Sequence, residues 1–124
     1  MTPLLLVMLG GALGSGGRYL TGRVLTEALG PGFPYGTLAV NWVGGLAMGI
    51  LAGVLARTGG AEGWRMFIGV GILGGYTTFS SFSLDTITLI ERGQVTLALS
   101  YVALSLFGSL AALWAGLWMT RIFA

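Results

Sequence analysis

The densest run of hydroxyls in the chain is GGYTTFSSFS at positions 74–83, which sets Thr77, Thr78, Ser80, Ser81 and Ser83 around Phe79 and Phe82. Other polar groups recur at helical spacing. Thr37 and Asn41 lie four apart in GTLAVNWVGG, and Tyr101, Ser105 and Ser109 repeat every four, so each set shares one helix face. Arg18 follows GALGSGG. Arg18 aside, these are neutral hydrogen-bond donors. The acids are Glu27, Glu62, Asp85 and Glu91. The three glutamates fall in or beside loops, and Asp85 is either a mid-helix or a helix-end acid. No two carboxylates are placed for acid–base work, and no serine has a visible base. There is no Cys and no His, which excludes thiol chemistry, zinc sites of the usual kind and histidine bases. The chain is therefore not expected to be an enzyme. Donors without acids suit an anion, and Arg18 would raise the local potential. Aromatic rings add to this, because a phenyl edge is positive where its face is negative. Phe79 and Phe82, three apart, would present their edges to one pathway if the segment is helical there.

The elements that hold these groups follow from the solvent. Of 124 residues, 55% are hydrophobic and 8% charged, with a mean hydropathy of +0.89; soluble domains carry about 25% charged residues. The solvent is a lipid bilayer, where buried polar groups are costly and mark function by default. The net charge of +2 arises from six arginines against four acids, which makes no basic patch and excludes a nucleic-acid partner. No Lys or Arg precedes Arg18, so the first apolar stretch reads as a retained membrane helix and not a secretory signal. A span needs about 20 mostly apolar residues. Four segments qualify, at about 3–25, 37–56, 64–90 and 95–122, joined by the short linkers EALGPGFPYG, RTGGAEG and ERGQ. The expected fold is an all-α membrane protein, a single four-helix domain over residues 1–124, with the third helix broken near its middle.

The break is expected at GGYTT. Two glycines cost roughly 1 kcal/mol each against Ala, and Thr is β-branched. Non-helical backbone at membrane depth is tolerated only when buried in protein or lining a cavity. Its freed carbonyls suit a cation and its freed amides an anion. Small-residue stripes occur on three helices: Gly10 and Gly14; Gly45, Gly49 and Gly53; Gly108, Ala112 and Gly116. Such stripes let helices approach closely in lipid, and three of them predict an oligomer. With four spans, Arg57, Arg65 and Arg121 fall on one side of the membrane and Arg18, Arg23 and Arg92 on the other. The positive-inside rule then gives no orientation, which predicts insertion both ways up and an antiparallel pair.

In these motifs, GGALGSGGRY at 10–19, GTLAVNWVGG at 36–45, GGYTTFSSFS at 74–83 and the Tyr101–Ser105–Ser109 spacing, the chain resembles the Fluc/CrcB family of fluoride channels over its whole length. The resemblance implies a dual-topology antiparallel homodimer in the cytoplasmic (inner) membrane, with two fluoride pathways. It implies passive fluoride efflux that relieves fluoride toxicity. By match, Phe79, Phe82, Asn41, Ser81, Ser105, Ser109, Tyr101 and Thr37 would line the pathway, with Arg18 toward its entrance. A structural sodium ion on the dimer axis would be held by the backbone carbonyls of Gly74 and Thr77 from both subunits. Ser81 stands where many relatives have Thr and keeps the hydroxyl. Two other readings compete. A small multidrug exporter needs an embedded acid in its first span, and none precedes Glu27. A non-transporting assembly subunit would leave the polar track without a purpose.

Overall fold

A computed structural model describes residues 2–122. The chain is helical throughout, with short joints. Helix α1 spans Pro3–Leu29; Thr2 caps it through Oγ1, which accepts the Leu5 N–H at 3.3 Å, and Pro3 fills a first-turn position that needs no N–H. Helix α2 spans Tyr35–Thr58 and stops at Gly59, whose φ of 67° is the left-handed C-terminal turn that glycine supplies most readily. A third rod follows. Its first part, α3, covers residues 62–76: one turn at Glu62–Trp64, a π-wound stretch at Arg65–Leu73, and one α turn at Gly74–Tyr76. The π winding shows in the Gly74 N–H, which reaches back five residues to Gly69 O. After a break, the rod resumes as α4, Ser80–Glu91. Helix α5, Val95–Ile122, completes the fold.

Three stretches are long and apolar enough to cross a membrane: Tyr35–Thr58, Glu62–Glu91 and Val95–Ile122. Helix α1 has 27 residues, about 40 Å at 1.5 Å each, so its length suffices. Its glycines, hydroxyls and arginines dilute its apolar character, which leaves it outside that set. Four rods are present as expected, and α1 leans on the others.

The small residues explain how. A side chain at Gly10 would run into Phe67 O and Gly71, and one at Gly14 into Ile72 O, so α1 lies with its backbone directly on the π stretch. Helices α2 and α5 meet in the same way: Gly45 faces Ser109 O, Gly49 faces Leu113 O, Gly53 faces Thr120, and Gly116 faces Leu46 O. Gly108 makes room for the Trp42 indole, whose Nε1–H donates to Leu104 O at 2.9 Å. These stripes are consumed inside one chain. The expectation that they demand an oligomer loses its basis, because backbone contacts between α1 and α3 and between α2 and α5 use them up.

The buried apolar core is small. Leu38, Leu89, Ala98 and Tyr101 form one cluster, with Phe33, Phe82 and Leu97 packed against it. Most large apolar side chains lie on the outside, Leu4, Leu13, Leu110 and Trp114 among them, as a lipid-facing surface requires. At one end, Arg57 Nη1 donates to Thr120 O at 2.6 Å and ties the C-terminal ends of α2 and α5 together.

Candidate anion groove and helix break

The third rod breaks at Thr77–Phe79, midway along the 30 residues of Glu62–Glu91. The glycine pair is not the break. Gly74 is helical, with φ −63° and ψ −38°, and Gly75 is glycine because α1 presses on it through Gly11 O. Thr77 is the first extended residue, at φ −82° and ψ 158°. Its N–H and its Oγ1 both donate to Leu73 O, at 3.0 and 2.9 Å. The physical cause lies in α2. Asn41 Oδ1 accepts the Thr78 N–H at 2.9 Å, and Asn41 Nδ2 donates to Thr78 O at 3.0 Å. This reciprocal pair replaces two ladder bonds and holds the extended residues in place. Thr78 Oγ1 then accepts the Ser81 N–H at 3.2 Å and caps the start of α4.

Four carbonyls at the break have distinct fates. Gly75 O accepts from Arg18 Nε at 3.2 Å, and Thr78 O from Asn41. In an unbroken helix, Gly74 O would accept from the Thr78 N–H and Thr77 O from the Ser81 N–H. Both donors are diverted, to Asn41 and to the Thr78 hydroxyl. Gly74 O and Thr77 O are left without helical partners.

Beside the break runs an open groove of about 610 Å³, lined by Asn41, Gly74, Thr77, Thr78, Phe79, Phe82, Ser105 and Ser109 with apolar residues of α5. No acid lines it. Phe79 is 78% exposed in this single chain. The Phe79 and Phe82 rings are 5.7 Å apart at 52°, tilted and not stacked. Ser105 Oγ is buried without a hydrogen-bond partner among the described residues.

A second cavity of about 680 Å³ holds the charged groups. Arg18, Thr37, Ser81 and Asp85 line it, together with Arg23 and Glu27, which pair at 3.1 Å. Thr78 belongs to both cavities and divides them. The expected site residues are thus brought together in two adjoining spaces. Tyr101 lines neither. It is fully buried, its OH donates to Asp85 Oδ2 at 3.0 Å, and its ring lies 5.3 Å from Phe82. Asp85 is therefore a mid-helix acid facing the second cavity, and the position left open by the sequence is settled. Two contributors were not anticipated. Phe33, in the first linker, packs edge-on to Tyr101 at 5.5 Å and 87°. Thr78, one hydroxyl among five, is the pivot of the break, and nothing in its sequence setting singled it out from its neighbours.

With this geometry in place, comparison with known proteins is specific. The family model described as CrcB-like protein, Camphor Resistance (CrcB), matches residues 5–117. The chain belongs to the CrcB family. Curated relatives of this family chain are near in sequence. One from Sphingopyxis alaskensis, named fluoride-specific ion channel FluC, is 53% identical over 122 residues, covering 98% of this chain and 97% of the relative. Relatives bearing the same name from Mesorhizobium japonicum (48% identity, 98% of each chain) and Caulobacter vibrioides (51%, 98% and 97%) are similar.

Proposed function

We propose that the chain is a fluoride-selective channel that lets fluoride leave the cell passively. One observation carries this reading: a groove midway along the third rod in which neutral donors and two phenylalanine rings converge and, among the described residues, no acid is present. The name of the relatives supports fluoride as the ion. Fluoride holds its water strongly, so a pathway must replace those bonds. The Asn41 amide has two N–H groups, and Thr78 O takes one, which leaves the other for an ion. The Ser105 hydroxyl lacks a partner among the described residues, and Ser109 lines the same wall. Phe79 and Phe82 offer positive ring edges. Asn41 is fixed at both ends of its amide, and Phe82 is backed by Tyr101, so the spacing of donors is rigid. A rigid track sized for fluoride excludes the larger chloride, while individually weak contacts allow release.

Gly74 O and Thr77 O fit a cation. They are acceptors without helical donors on either side of Gly75 and Tyr76, and no acidic cluster among the described residues offers a competing metal site. A sodium ion shared with a second subunit would neutralise those carbonyls and leave positive potential beside the groove. Gly74 lies on the exposed surface of the single chain, where a partner could reach it. An antiparallel homodimer accords with the arginine distribution, in which Arg57, Arg65 and Arg121 stand against Arg18, Arg23 and Arg92. All four rods would span the cytoplasmic membrane, α1 by virtue of its packing on α3. The test is efflux from liposomes holding the purified protein. Fluoride should leave and chloride should stay, and equal flux of the two ions would sink the proposal.

A further inference from the structure

We propose that α1, which contributes nothing to the anion groove, works as a latch that sets the geometry of the break. Two side chains one turn apart on α1 hold two successive residues of α3. Arg18 Nε donates to Gly75 O at 3.2 Å. Thr21 Oγ1 lies 3.0 Å from Tyr76 OH. Direction follows from proton count: the single Thr21 hydroxyl proton goes to Gly17 O at 2.9 Å, so Tyr76 OH is the donor to Thr21. The Tyr76 ring lies against Gly17, at ordinary van der Waals distance from where a side chain would begin. Tyr76 is the last helical residue before the break. Beyond it, Thr78 is held by Asn41 from α2. The break is thus gripped on its near side by α1 and on its far side by α2.

The consequence is positional. Gly75 O, satisfied by Arg18, sits between the two unsatisfied carbonyls, Gly74 O and Thr77 O. Fixing Gly75 and Tyr76 fixes the direction of both neighbours. Without the latch, the last turn of α3 can rewind or shift, and the Thr77–Phe79 segment moves with it. Thr21 and Tyr76 are positioning residues in this view, and so is the Nε of Arg18. The terminal guanidinium N–H groups remain free to face the 680 Å³ cavity that Arg18 lines. The proposal rests on the reading of the break and groove as the ion site, and its test separates the two.

Thr21→Val and Tyr76→Phe remove the hydroxyl contact without changing charge or bulk, so electrostatics in the cavity stay the same. Each should slow fluoride efflux from liposomes about threefold to tenfold, the scale of one part-buried hydrogen bond. Each should speed amide hydrogen exchange across residues 75–81 by a similar factor and leave α5 unchanged. Thr21→Ser, which keeps the hydroxyl, should restore both readouts. The double variant should be no worse than Thr21→Val alone, since the bond that Tyr76→Phe removes is already lost with the Thr21 hydroxyl. Wild-type efflux and wild-type exchange in the two single variants would overturn the latch. If the wild-type protein itself passed no fluoride, the channel reading would fall, while the exchange data would still decide the latch.

Discussion

Asn41 is placed to do two things with one amide. It substitutes for two ladder bonds at Thr78 and keeps one N–H for the groove. Asn41→Leu should therefore cost stability as well as transport: about 1–3 kcal/mol for stranded backbone groups, read by thermal unfolding in detergent, with fluoride efflux lost at least tenfold. Ser105 behaves in the opposite sense. Its hydroxyl is buried without a hydrogen-bond partner among the described residues, so Ser105→Ala should leave stability unchanged or slightly improved while efflux falls. A hydroxyl that helped folding would show a loss of stability instead. Phe79→Ile and Phe82→Ile keep bulk and remove the ring edge, and both should slow efflux; unchanged rates would remove the rings from the mechanism. The residue types were legible in the sequence because polar side chains in lipid stand out. Their partners were not. Nothing in the spacing of Asn41 indicates that its amide meets the backbone at Thr78, since that contact joins residues 37 apart.

Between helices, side chains are largely absent from the contacts that matter. Gly49 rests on the Leu113 carbonyl, whereas Gly16 has open space where a side chain would begin. Gly16→Ala should stabilise the protein by up to about 1 kcal/mol, the helix-propensity difference. Gly49→Ala should destabilise it by more than that, because backbone cannot yield as a side-chain tip can. A thermal-shift comparison of the pair checks both signs, and equal shifts would contradict the packing. The glycine stripes were read correctly as sites of close approach and wrongly as a surplus. A stripe states that something comes near; it does not state whether the neighbour belongs to the same chain. The GGYTT break was likewise read at the right place within three residues. Propensity pointed to Gly74 and Gly75, but competition for hydrogen bonds from Asn41 and the Thr78 hydroxyl decided that the chain opens at Thr77.

For the molecule as a whole, the balance of charge across the bilayer is close. Arg57, Arg65 and Arg121 gather at one end, Arg23 and Arg92 at the other, and Arg18 is committed to Gly75 O. Adding two lysines after position 122 should fix one orientation and lower fluoride efflux, as judged by the accessibility of a C-terminal tag from each side of the membrane. A tag found on one side only in the unaltered protein would remove the antiparallel pairing. Replacing sodium with a large organic cation during purification should lower the thermal stability of the assembly if Gly74 O and Thr77 O hold a cation.

The π winding of Arg65–Leu73 bears on what this chain can lose. Hydrogen bonds that reach back five residues instead of four store surplus length in the stretch. A single deletion there, of Ile68 for example, has somewhere to be absorbed: the winding tightens toward α, and Thr78 can stay opposite Asn41. The same deletion in α2 ahead of Asn41 has no such reserve. It would turn Asn41 by about 100° at 3.6 residues per turn and carry its amide away from the break. Tolerance to shortening should therefore be confined to one segment of the third rod, and a scan of single-residue deletions scored by growth in fluoride would map its edges.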